Sequence, residues 1–268
     1  MKMKKLLAMG VAALALCMSF ALVGCGGNEA AEEPAADAEA GYTLIEDGKL
    51  TVAASLDFPP FENLEDGEVV GFEVDLMAEI ANRLGLELNY LPTMKFDTII
   101  PAIVAGGTAD VGVSGFTITP ARMEEVDFTT PVCDTNQCLV VAQGSEVTDI
   151  DQLADQRVGA ETGTTGLDWA KENIVDASEI VAFDEYPAVF AALQSGQVAA
   201  VVLDKPVADY YINVAYGDCK VVKEIPTGEQ YGIAISKENP ELTAAINQAI
   251  EDMKADGTFE EIETKWFG

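Results

Sequence analysis

The chain has 268 residues, with 46 Asp or Glu against 15 Lys or Arg, no histidine, and a formal net charge of −31. That balance excludes nucleic acid as a partner, because phosphate binding needs a cationic face. The missing imidazoles exclude His-dependent nucleophile triads and His-liganded zinc, and the acidity reads as solubility and surface repulsion rather than recognition of a cationic partner.

Met-Lys-Met-Lys-Lys opens the chain, followed by an apolar stretch from Leu6 to Val23 interrupted only by Gly10 and Ser19. A basic segment before an apolar one is an export signal, although an apolar run of about 18 residues also lies near the lower limit for a membrane span. The stretch ends in Leu22-Val23-Gly24-Cys25, which resembles the lipobox of bacterial lipoproteins. That resemblance implies cleavage after Gly24 and a lipid on Cys25. From Gly26 to Gly41 there are five acids and no aromatic or branched aliphatic residue, so the segment cannot bury a core and reads as a tether spanning about 20–24 Å. A disordered N-terminus without a role fits the same residues.

The body from Tyr42 onward is long enough for two compact domains, and no second spanning segment follows. Leu50–Ser55 reads as a strand, Phe72–Leu84 as a helix with apolar Leu76, Ile80 and Leu84 at helical spacing, and Glu87–Leu91 as a strand. Phe96, Ile99, Ile100, Ile103 and Val104 make an amphipathic helix, and Ala109–Ser114 a strand ending in a loop. The alternation restarts with strands at Cys138–Ala142, Arg157–Glu161, Glu179–Phe183 and Val198–Leu203; helices follow from Thr164, from Pro187 and after Leu203. A strand at Tyr231–Ser236 and two helices, carrying Leu242, Ile246, Ile250 and Met253 and then Phe259, Ile262 and Trp266, close the chain. Repeated βα units imply an α/β fold of mainly parallel sheets flanked by helices. Of the cysteines beyond Cys17 and Cys25, Cys133 and Cys138 are close enough to close a small loop with Cys219 free, and the connectivity stays open.

Ligands of open α/β sheets bind beyond the carboxyl ends of the strands, and the chemistry-bearing residues collect there. Ser55 and Phe58 follow the first strand, Phe96 the third, and Ser114, Gly115 and Thr117 the next; Glu161, Thr164, Thr165 and Asp204 hold equivalent places in the second set. Arg122, one of three arginines, suits a two-pronged grip on a carboxylate, or else pairs at the surface with Glu125 or Asp127. The Gly163-Thr164-Thr165-Gly166 turn can aim N–H groups at an anion, or Thr164 simply caps a helix. Asp204 can meet an ammonium or cap the helix that follows. Glu161 faces either the pocket or solvent, since strand residues alternate. Together these groups complement a free α-amino acid.

From about Leu50 to Gly268 the chain resembles the family-3 solute-binding proteins, the polar amino-acid receptors of bacterial ABC importers. The resemblance rests on Phe58-Pro59-Pro60-Phe61-Glu62, Gly71-Phe72-Glu73-Val74-Asp75-Leu76, Ile99-Ile100-Pro101-Ala102, Thr117-Ile118-Thr119 with Arg122, Asp127-Phe128-Thr129, Gly163-Thr164 and Asp256-Gly257-Thr258-Phe259. It implies a two-lobed periplasmic-binding-protein fold of type II with two crossover strands as hinge. The expected division is signal 1–24, lipidated cysteine and tether 25–41, lobe 1 from 42–133 and 231–268, and lobe 2 from 137–226, with the hinge near 133–137 and 226–231. By the resemblance Arg122 holds the ligand carboxylate, helped by N–H groups at Thr117 and Thr165. Asp204, Gly115 and Thr117 take the ammonium, and Phe58 and Phe96 line the side-chain pocket.

Relatives that bind basic amino acids or glutamine often carry an acid where Ser55 stands, and the glutamine type a lysine where Glu161 stands, so ligand identity stays open. An acidic ligand is disfavoured, since Glu161 would repel a second anion. The expectation is a monomeric, lipid-anchored, extracytoplasmic receptor that works with a permease, without catalytic residue, metal or cofactor. The alternatives are a cyclohexadienyl-dehydratase-like enzyme, which would want a second cation in the cleft, and a sensory lipoprotein.

Overall fold

A computed structural model describes residues 41–268; the expectations for the export signal, Cys25 and most of the tether lie outside the described residues. In chain order come β1 (Lys49–Ala53), β2 (Asp57–Phe58), β3 (Glu62–Glu65), β4 (Glu68–Val70), α1 (Phe72–Leu84), β5 (Glu87–Tyr90), α2 (Phe96–Ala105), β6 (Val111–Gly112), α3 (Pro120–Glu125) and β7 (Asp127–Phe128). Then follow β8 (Cys133–Ala142), a single 3-10 turn at Ile150–Leu153, β9 (Arg157–Glu161), α4 (Thr165–Asn173), β10 (Glu179–Phe183), α5 (Tyr186–Gln194), β11 (Ala200–Asp204) and α6 (Lys205–Val214). The chain finishes with β12 (Cys219–Tyr231), β13 (Ala234–Ile235), α7 (Pro240–Asp256) and α8 (Thr258–Phe267).

Two five-stranded sheets form, ordered β5-β1-β6-β13-β7 and β10-β9-β11-β8-β12, beside a small β2-β3-β4 sheet. In each large sheet the first three strands are parallel, as βα alternation predicts, and the other pairings are antiparallel. The antiparallel edge of the second sheet is β8 with β12, which run together and pair Tyr231 with Cys133 at the end where the chain crosses between the halves. The strand expected at Tyr231–Ser236 is therefore two elements. Tyr231 closes β12 against β8, whereas Ala234 and Ile235 pair with β6 and β7 in the other sheet.

Helix α1 shows how the apolar period sets the layers. Leu76, Met77 and Ile80 are fully buried, each stabilising the fold by about 1.5–3 kcal/mol relative to exposure. Glu73 and Asp75 lie in its first turn and Arg83 in its last, complementing the helix dipole, and Gly85 ends it in the left-handed conformation at φ 70. The same apolar cluster runs through Phe58 and Tyr231 to Tyr186 and Phe190, joining both halves under the crossover. Cys133, Cys138 and Cys219 are all free. Cys133 and Cys138 sit five apart on the extended strand β8, which puts them on opposite faces and rules out the small loop.

Candidate functional site

The carboxyl ends of the parallel strands of both sheets meet at one narrow cleft, lined by Phe58, Phe96, Gly115, Thr117 and Arg122 from the first half and by Glu161, Thr164, Thr165, Tyr186 and Asp204 from the second. Ser55 and Ser114 stand behind this lining: Ser114 Oγ accepts the Ser55 N–H at 3.2 Å, and Ser55 Oγ donates to Asp57 at 2.7 Å. A larger depression at the far end of the second sheet includes Arg157. Its guanidinium is already bonded to Glu179 and the Gln197 carbonyl, so Arg157 offers no free cation there.

Arg122 reaches the cleft from α3, which Thr119 caps by accepting the Arg122 N–H at 3.2 Å and which Pro120 starts. Its guanidinium lies over Phe96 and Phe116, 5.3 and 5.5 Å from the ring centres. It donates to the Thr117 carbonyl at 2.9 Å and, across the cleft, to the Gly163 carbonyl at 3.0 Å. The surface pairing with Glu125 or Asp127 is absent, and Asp127 pairs with Lys237 instead.

Two glycines permit this closeness. Gly115 holds φ +54, and a Cβ there would stand 2.2 Å from the Phe58 ring. Gly163 holds φ +80, with Asp97 of the opposite half 2.9 Å from its would-be Cβ. Thr164 is the N-cap of α4, accepting the Leu167 N–H at 3.2 Å, and it also lines the cleft.

Asp204 caps no helix with its side chain. One of its oxygens accepts the Tyr231 hydroxyl at 2.6 Å and the Gln137 amide at 2.9 Å. Burial, then the Glu229 charge, push its pKa up to about 7. Glu161 faces the cleft; it is 2% exposed, and its Oε1 has no hydrogen-bond partner. Burial, followed by the charges of Asp57 and Asp204, pushes it up to about 9. At neutral pH this carboxyl is a proton-bearing group that a cationic or hydrogen-bond-donating neighbour would ionise.

Three contributors were missed from sequence. Tyr186 is buried, with its hydroxyl unpartnered, and the strand-end rule would have found it just after β10. Gln137 and Glu229 belong to the crossover strands, where no motif marks them. Glu229 Oε2 accepts the hydroxyls of Thr117 and Thr165 at 2.7 Å each, tying together side chains from the two halves. Tyr186 N–H and Tyr211 OH also reach Asp57 across the cleft at 3.1 and 2.8 Å, and Lys95 pairs with Asp184 at its exposed rim.

Two α/β lobes closing on a small cleft with one guanidinium, two buried carboxyls and aromatic walls define a binding protein for a small polar solute. The profile of the family described as "Bacterial extracellular solute-binding proteins, family 3" matches residues 50–268, and the chain belongs to that family. It is similar to the "Probable histidine-binding protein" of Neisseria gonorrhoeae, 34% identical over all of this chain and 97% of the relative. It is also similar to the L-cystine-binding protein TcyJ of Escherichia coli strain K12, 31% identical over 83% of this chain and 84% of the relative. Among solved structures, an ancestral arginine-binding protein bound to arginine matches with a TM-score of 0.78 and 40% identity, covering 82% of this chain and 99% of the other.

Proposed function

We propose that this protein is an extracytoplasmic receptor that captures a free amino acid between its lobes and delivers it, chemically unchanged, to the permease of an ABC transporter. The observation that carries the reading is the convergence of Arg122, Asp204 and Glu161 on one cleft. Arg122 exchanges its two carbonyl contacts for the ligand carboxylate, Asp204 takes the ammonium, and Thr117, Thr165 and Gly115 complete the grip. Phe58, Phe96 and Tyr186 enclose the side chain. The lobes hinge near 133–137 and 226–231, and a lipid on Cys25 holds the monomer at the membrane.

Glu161 narrows the ligand class. With Asp204 committed to the ammonium, an unpartnered buried carboxyl favours a side chain that carries positive charge or donates hydrogen bonds, arginine before glutamine, and disfavours glutamate and aspartate. Dehydration chemistry on a substrate with a second carboxylate would want a second cation, and among the described residues Arg122 is the sole Lys or Arg lining the cleft. A calorimetric screen of the purified protein against the common amino acids tests the reading; binding of arginine, lysine or glutamine supports it, and no binding of any amino acid refutes it.

A further inference from the structure

Beneath the cleft wall lies a second pair of acids. Glu62, at the start of β3, and Glu73, in the first turn of α1, are 0% and 1% exposed, and they accept from the adjacent residues Ser114 and Gly115, so their carboxyl groups are neighbours. Among the described residues no lysine or arginine pairs with either. Glu62 Oε2 and Glu73 Oε1 have no hydrogen-bond partner. Two carboxylates enclosed this way cannot both ionise, and a proton held between their two unpartnered oxygens satisfies both.

The remaining oxygens of the pair hold the wall. Glu73 Oε2 accepts the N–H of Gly115 at 2.9 Å, and Glu62 Oε1 accepts the Ser114 hydroxyl at 2.8 Å. Ser114 Oγ in turn accepts the N–H of Ser55. The ends of β1 and β6 are thus tied to β3 and α1 through one hydrogen-bonded set. Three further titratable groups face it. Asp57 from β2 adds negative charge and favours the proton. Tyr90 from β5 is held neutral mainly by burial, and the Cys133 thiol of β8 is pushed by burial up to about 12. Burial, then the neighbouring Glu73, push Glu62 well above the usual carboxylate range, and burial also raises Glu73; the Gly115 N–H, which can only donate, favours the charged form of Glu73 and so leaves the proton to Glu62.

We propose that Glu62 and Glu73 are positioning residues sharing one proton, and that this proton, in place of a counter-cation, fixes the Ser114–Gly115 wall of the cleft. The proposal rests on the amino-acid reading only for what the wall serves, since the pair itself can be observed without ligand. The test is a magnetic-resonance titration of the full chain, isotope-labelled at the glutamate carboxyl carbons, from about pH 5 to about pH 9, with amide exchange read at Gly115. One glutamate carboxyl besides Glu161 should stay protonated beyond the range in which exposed glutamates ionise, and that signal should vanish in Glu62→Gln and persist in Glu161→Gln. Protection of the Gly115 N–H should be kept in Glu62→Gln, whose amide donates permanently to Glu73. It should fall about tenfold or more in Glu73→Gln, which lacks the charged acceptor. The proposal is overturned if every glutamate other than Glu161 titrates with the exposed ones, a result the wild type alone can give, or if the two variants leave Gly115 equally protected. An intact pair in a protein that binds no amino acid would sink the cleft reading alone; amino-acid binding without the protonated pair would sink only this proposal.

Discussion

Arg122 and Asp204 test the cleft at the scale of single residues. A lysine at 122 offers a point charge where the guanidinium presents two parallel donors, so Arg122→Lys should weaken amino-acid binding by about 2 kcal/mol, or roughly 30-fold. Asp204→Asn, which keeps the shape but not the charge, should weaken it comparably. Isothermal titration of both variants checks this, with circular dichroism to show that each is folded; affinities near wild type would remove these residues from the site. Glu161→Lys should weaken binding of a basic or amide ligand and admit an acidic one, because it puts a fixed cation beside the ligand's end in place of a carboxyl that a basic ligand ionises, which changes the Coulomb energy by a few kcal/mol, roughly, at an effective dielectric near 20. Competition among glutamine, arginine, lysine, cystine, glutamate and aspartate reads it out. An unchanged rank order means that Glu161 takes no part in selection.

At the scale of elements, the crossover strand β12 does more than connect. Glu229 gathers Thr117 of one lobe and Thr165 of the other on a single carboxylate oxygen, two charge-assisted bonds that form only when the lobes are together. Glu229→Ala removes both. Ligand-free protein should then populate an open form, seen as a larger radius of gyration in small-angle scattering, and bind its amino acid more weakly by about 1–3 kcal/mol. Unchanged scattering and unchanged affinity would show that the bridge does not hold the lobes closed.

For the whole molecule, the buried acids couple stability to pH. Asp204 and Glu161, raised to about 7 and about 9, bind protons more tightly folded than unfolded. Their contribution is fully present below the ordinary carboxylate range and is lost as pH rises through those values. The thermal midpoint of the ligand-free protein should therefore fall from about pH 5 to about pH 9, and Glu161→Gln should flatten the upper part of that decline. A midpoint that rises across this interval would contradict the assignment. At the other end of the chain, Cys25→Ala should release the protein from the membrane fraction or leave it uncleaved. Fractionation and the mass of the mature N-terminus decide, and normal processing with stable attachment would assign the anchor elsewhere.

The sequence by itself determined the local elements and most of the cleft. Period 3.6 marked α1 through Leu76 and Ile80, and βα alternation placed Phe58, Gly115, Thr117, Glu161 and Asp204 at strand ends, where a parallel sheet presents its ligand. What it left open needed contacts distant in the chain. Whether Arg122 pairs at the surface or spans the cleft depends on Gly163, 41 residues away. The face that Glu161 turns depends on the register of β9 between β10 and β11. Gln137 and Glu229 became part of the site only when two crossover strands met, 92 residues apart in sequence. The Glu62–Glu73 pair was out of reach for the same reason: the two acids stand in separate motifs eleven residues apart, and only the packing of β3 against α1 encloses both and so demands a proton between them.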